Sequence, residues 1–134
     1  MSKIESRIGV IKYNDEKVYS FISDFSNFSN LIPGDKITDW QADREKCSFS
    51  IAGIGRAGLK YVEKDPFKLI KIASDENTPM HLTMWIQLKN TGENETKVKV
   101  TIEPDVNSVM MMMIKNPMEQ FLERLVNEME KFRF

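Results

Sequence analysis

His81 is the only histidine and Cys47 the only cysteine in this chain of 134 residues. With no Cys-x-x-Cys or His-x-x-x-His spacing, one of each does not complete a tetrahedral zinc site. Leu82, Met84, Ile86 and Leu88 alternate with Thr83, Trp85 and Gln87, so His81 falls on the polar face of a strand. It is a candidate base only if a bulge reverses that parity. Cys47 shares a face with Phe49 and Ile51 and reads as a small core hydrophobe, without a neighbour that would make it a nucleophile. Tyr61 and Glu63 share a face with Leu59, whereas Asp39 and Trp40 lie on opposite faces of their strand. An inward polar group of this kind orients a ligand in an apolar cavity. His81, Glu63, Tyr61 and Asp39 are therefore the groups available for acid–base work. Their spacing assigns no catalytic residue, and no metal or cofactor is expected.

Gly53-Ile54-Gly55-Arg56-Ala57-Gly58 matches G-x-G-x-x-G. A dinucleotide site needs a helix after the glycines, to bring a helix N-terminus to the phosphates. Here Leu59-Lys60-Tyr61-Val62 follows and reads as strand, so the glycines are expected to mark a bend or bulge. The run Val109-Met110-Met111-Met112-Met113-Ile114 is more unusual. Six consecutive apolar residues cover every side of a helix, and one core stripe does not absorb them all. Methionine is flexible and polarisable and suits a surface that adapts to its partner. The run reads as a pliable wall or mouth for an apolar ligand, or as a homodimer contact, with a helix start buried on several sides as the plain alternative.

The elements that must position these groups follow from periodicity. Ile4, Ser6, Ile8 and Val10 alternate as one half-buried strand. Asn14 caps a helix whose apolar stripe is Val18, Phe21, Ile22 and Phe25. Phe28, Leu31 and Ile32 continue as a second short helix that Pro33-Gly34 stops. Strands are then expected at 37–42, 47–51, 57–64, 67–74, 82–88 and 97–103, with short turns that make an antiparallel meander. Lys60, Lys64, Lys68 and Lys71 read as a solvated sheet face. From Asn107 the chain is helical, with Met118, Phe121, Leu122, Leu125, Val126, Met129 and Phe132 in one stripe. Pro117 leaves two readings open: a kink in one long helix, or a new helix capped by Asn116.

The length fits one domain over 1–134. The formal net charge of -1 supplies no basic excess for nucleic acid. No apolar run is long enough for a membrane span and no signal peptide is visible, so a cytoplasmic protein is expected. Seven strands with one apolar face and a long helix with one apolar stripe bury against each other as a two-layer α+β domain. A sheet of that size curls, and around a single helix it leaves a gap.

The chain resembles the START-like, polyketide-cyclase-related (SRPBCC) superfamily, which has the helix-grip fold. The resemblance covers essentially the whole chain. It is carried by the opening strand, by Asn14-Asp15-Glu16-Lys17-Val18-Tyr19-Ser20-Phe21-Ile22-Ser23-Asp24-Phe25 running to Leu31-Ile32-Pro33, by Val62-Glu63-Lys64-Asp65-Pro66-Phe67, and by the helix with Pro117, Met118, Phe121 and Leu122. Similar proteins bind lipids, sterols, plant metabolites or polyketides; a minority catalyse cyclisation or dehydration, and some bind partner proteins. The resemblance implies a pocket for a small hydrophobic molecule between sheet and helix. Phe49, Tyr61, Met84, Ile86, Met110, Met113, Met118, Phe121 and Leu122 are the expected ligand-binding wall. The rivals are a cyclase- or dehydratase-like enzyme, which needs an inward acid or base, and a protein-binding module, which needs a filled core and an exposed apolar patch.

Overall fold

The computed structural model describes residues 3–32, 37–51 and 55–134. The expected helix stop at Pro33-Gly34 and the first glycine of the Gly53–Gly58 motif lie outside the described residues. The element order is β1 (Ile4–Glu5), β2 (Gly9–Ile11), α1 (Asp15–Ile22), a 3-10 helix (Phe25–Asn30), β3 (Ile37–Ala42), β4 (Lys46–Ile51), β5 (Gly55–Asp65), β6 (Leu69–Ser74), β7 (Leu82–Gly92), β8 (Glu95–Pro104) and α2 (Ser108–Lys131). The strands form one antiparallel sheet in the order β1-β8-β7-β6-β5-β4-β3, with β2 also on β8. This is the α+β helix-grip architecture: a large antiparallel sheet, short helices after the first strands, and a long C-terminal helix.

Three local departures from strict alternation matter. The expected first strand is two strands. Glu5 pairs with Thr101 and Gly9 with Val98, so one extra residue is accommodated between them. The Ser6 hydroxyl fills the break by accepting the Val100 N–H at 2.9 Å. The parity then inverts, and Ile8, expected in the buried row, is 60% exposed while Ile11 is fully buried. In β5 a second bulge lies between Tyr61 and Glu63, which pair with the adjacent Ile72 and Lys71. Val62 is the extra residue. Glu63 is consequently exposed rather than sharing the inward face of Leu59. Lys64, expected on the solvated face, instead donates to the Ser23 carbonyl at 3.1 Å and lies over the Tyr61 ring. It thereby supplies positive charge beside the C-terminal end of α1. Third, β6 begins at Leu69, because Phe67 sits in the preceding turn with φ 69°.

The first helix also ends earlier than its apolar stripe predicts. Asp24 accepts the Ser26 N–H at 2.9 Å and starts a 3-10 helix, so Phe25 opens that element instead of closing α1. A short acidic side chain that bonds its own downstream backbone competes with helix continuation. At the other end of the chain Pro117 lies inside a continuous α2, capped by Asn107, which accepts the Met110 N–H. The reading with Asn116 as a fresh cap is thereby corrected.

Helix α2 lies close to β1, β2 and β8 and stands off from β3–β7. Its C-terminal half is packed: Leu122, Val126 and Met129 are fully buried. Gly9 permits the close approach there, since a Cβ on it would be 2.5 Å from Val126 Cγ1. Phe21, Phe132, Phe134 and Tyr13 form a cluster, edge to face except for the tilted Phe21–Phe132 pair, and clasp this end of α2 to α1.

Arg7, in the break between β1 and β2, straps the same segment from outside. Its guanidinium bonds Glu123 at 3.0 Å, Glu130 at 2.5 and 3.1 Å, and Asn127. Glu130 also accepts the Val10 N–H at 2.8 Å. The Arg7 bond, opposed by partial burial and helped by the Val10 bond, holds the Glu130 carboxyl below its ordinary value of 4.5. The folded state therefore binds this proton less readily than the unfolded chain. The resulting stabilisation is present above about pH 4.5 and is lost as pH falls through the depressed folded value. Urea midpoints measured from neutral pH down to about pH 3 should fall less steeply for Glu130→Gln than for the wild type. Equal slopes would remove Glu130 from the acid response.

Candidate functional site: a cavity under the N-terminal half of α2

Where α2 stands off from the sheet, a cavity of about 690 Å3 remains. Its inner wall comes from the sheet: Phe49 on β4, Ala57 and Leu59 on β5, Ile72 on β6, Leu82 and Met84 on β7, and Ile102 on β8. Phe25 and Phe28 of the 3-10 helix close one end. Met110, Met113, Ile114, Pro117, Met118, Phe121 and Leu125 form the α2 wall. The helix therefore presents two adjacent faces. Positions 122, 126 and 129 meet β1, β2 and β8, whereas positions 110, 113, 117, 121 and 124, three or four residues apart, overlook the cavity.

The mouth is the methionine run. Met110, Met112 and Met113 are 43%, 82% and 68% exposed, and Met110 and Met113 also line the cavity. Arg56, Asp105, Gln120 and Arg124 are the charged and amide side chains on the lining, and all four are exposed. The interior is thus apolar and the rim carries the charge.

The loop between β6 and β7 supplies the remaining wall through Thr78, Pro79 and Met80. Its position is fixed on β5. Gly58 N donates to Thr78 Oγ1 at 2.8 Å, Asp75 N donates to the Gly58 carbonyl at 2.8 Å, and the Thr78 hydroxyl lies 2.8 Å from Asp75 Oδ1. The glycine at position 58 is required by space, because a Cβ there would sit 1.9 Å from Asp75 Oδ2.

Of the expected wall residues, Phe49, Met84, Met110, Met113, Met118 and Phe121 line the cavity. Ile86 and Leu122 do not; both are buried in the solid part of the core. Tyr61 does not line it either. Its ring stacks on Phe25 with centroids 4.1 Å apart, and its hydroxyl donates to the Ile22 carbonyl at 2.5 Å. Burial, with Asp24 nearby, raises the Tyr61 pKa, so the phenol stays protonated. His81, Glu63 and Asp39 are exposed, and none of the three lines the cavity. Asp39 has φ 56°, in a bulge that turns Trp40 inward onto Phe49 at 5.6 Å. The four candidate acid–base groups are therefore not assembled around a common point. Cys47 is buried, and burial pushes its thiol up to about 12. After Gly58 the chain continues as β5 rather than entering a helix, so the glycine motif presents no helix N-terminus. No helix of the described residues is long and apolar enough to cross a membrane.

The 3-10 phenylalanines, the Thr78–Met80 loop and the rim arginines were not among the expected wall residues. The loop has no sheet or helix period to assign a facing side, whereas Arg56 and Arg124 lie on β5 and α2, where a charged residue reads as solvent-facing.

No family model matches the sequence. No curated protein matches it. Solved structures do. A START superfamily protein from Mycobacterium smegmatis superposes with a TM-score of 0.75 at 14% identity, covering 96% of this chain and 94% of that one. A conserved protein from Geobacillus kaustophilus gives 0.74 at 16% identity, covering 97% and 93%. Norcoclaurine synthase from Thalictrum flavum gives 0.71 at 13% identity, covering 97% and 84%. At such identities the likeness is one of fold, and that fold is the helix-grip of the START superfamily.

Proposed function

We propose, from this shared fold and the cavity it encloses, that the protein binds a small hydrophobic molecule of lipid-like or polyketide-like character under the N-terminal half of α2. The observation that carries the reading is that α2 lies close to β1, β2 and β8 but not to β3–β7, and leaves an apolar space of about 690 Å3 between its other face and the sheet. Side chains that overlook such a space lose the dispersion contacts that packing would give them. An apolar guest restores those contacts and removes its own surface from water, at roughly 25 cal/mol per Å2.

The dispersal of His81, Glu63, Tyr61 and Asp39 supports binding over cyclase- or dehydratase-like catalysis, since neither reaction proceeds without an inward acid or base. The unfilled core speaks against a pure protein-binding module. Apolar ligands are expected to raise the melting temperature in proportion to the logarithm of their concentration above Kd. Thermal melts across fatty acids, alkanols and polycyclic aromatics test this, with native mass spectrometry of the purified protein for a co-purifying lipid. Unchanged melts throughout the series would reject the reading.

A further inference from the structure

Pro117 sits in the interior of α2, and α2 is continuous on both sides of it. In an α-helix the N–H of each residue bonds the carbonyl four residues earlier. Proline has no N–H, so the Met113 carbonyl receives no such bond. The next donor along the chain, the Met118 N–H, belongs to the Ile114 carbonyl in the same ladder. The break falls on the face turned to the cavity, because Met113 and Pro117 both line it. The proline ring also crowds the carbonyl of the preceding turn. The α2 wall, apolar apart from Gln120 and Arg124, thus holds one backbone acceptor without its helical partner.

We propose that the cavity takes an apolar ligand bearing one hydrogen-bond donor, an aliphatic or phenolic alcohol, whose O–H donates to the Met113 carbonyl oxygen. This inference rests on the ligand-binding reading above and adds the chemical class and the orientation. Met113 is 68% exposed and lies at the mouth, whereas Ile72 and Ile102 at the inner wall are buried. The hydroxyl accordingly sits beneath the methionine rim, and the apolar body points toward the sheet. A donor-bearing guest pairs with this acceptor while its capped analogue leaves it to water at the mouth, so the preference is that of one ordinary hydrogen bond.

The test compares a long-chain primary alcohol with its methyl ether, by calorimetric titration of the wild type and of Pro117→Ala. The wild type should bind the alcohol about tenfold more tightly than the ether, the effect of one such hydrogen bond. In Pro117→Ala the new N–H reclaims the Met113 carbonyl. The preference, read as the ratio of the two affinities within the same variant, should shrink to within about twofold, with the melting temperature raised. Carbonyl-13C spectra of the wild type should show the Met113 signal moving with the alcohol and not with the ether. Equal affinities in the wild type, or a preference that survives in Pro117→Ala, would overturn the assignment while leaving the cavity reading intact. Failure of the wild type to bind even the ether would reject the cavity reading itself, and this inference with it.

Discussion

Leu122→Ala is expected to lower unfolding stability by about 2–5 kcal/mol, the range for removing a buried leucine side chain that its surroundings do not refill. Leu122 is fully buried and lies on the α2 face that meets β1, β2 and β8. One turn further along the same helix Val126 is also fully buried, and Leu125 between them is 2% exposed, so the helix is closely packed here and partial collapse into the new space is limited. The same truncation at Met113 should cost under about 1 kcal/mol, because that side chain already overlooks solvent and the cavity. Urea denaturation of the two variants measures the contrast. It separates the packed face of α2 from the face that overlooks the hollow, and comparable losses would show that the two halves of the helix are packed alike. Leu122→Ala protein that remains folded should keep its ligand affinity, since Leu122 is not a wall residue.

Gly58→Ala should destabilise by about 2–3 kcal/mol, although alanine is a small residue and position 58 carries no left-handed backbone. The added Cβ would meet the Asp75 carboxylate, with Oδ2 at 1.9 Å and Cγ at 2.6 Å. If Asp75 swings away, its bonds to Thr78 Oγ1 and the Asn77 N–H go with it. Thr78 is buried and holds the loop that carries Pro79 and Met80 to the cavity wall. The consequence therefore reaches the site: ligand affinity should fall along with stability. Removing the obstructing carboxylate should restore much of the loss, so Gly58→Ala/Asp75→Gly is expected to be more stable than Gly58→Ala alone. A double variant no better than the single one would show that the collision is relieved elsewhere. Neighbouring substitutions of this kind are non-additive, and the size of the coupling measures the contact.

The sequence made the architecture legible through its periods. The alternation over Leu82–Leu88 placed His81 on the exposed side, and the α2 stripe identified the residues that seal the core. What the periods lacked was any mark of a bulge. Val62 reads as an ordinary β-branched strand residue, yet it is the extra residue that turns Glu63 outward and brings Lys64 onto Ser23. Ser6 gives no sign that its hydroxyl will bond the Val100 N–H in the gap of a broken strand. Periodicity also reports which way a side chain points but not what it meets. Ile86 and Leu122 point inward as surely as Met84 and Met118, but the first two meet packed neighbours and the last two meet a hollow. That difference depends on the angle at which α2 leaves the sheet, a property of the assembled layers. The methionine run was the one local hint, because apolar residues on every side of a helix require something other than a single core stripe.

Methionine methyl signals offer the most direct test of whether the hollow is occupied by an apolar guest. Met80, Met84, Met110, Met113 and Met118 line it, whereas exposed Met112 and fully buried Met129 do not. In a titration of methyl-13C-methionine protein with a long-chain alkanol, those five signals should move together and saturate at one ligand per chain, while Met112 and Met129 stay in place. Shifts confined to Met112, or none at all as the alkanol approaches its solubility limit, would contradict the assignment of this space as a binding site.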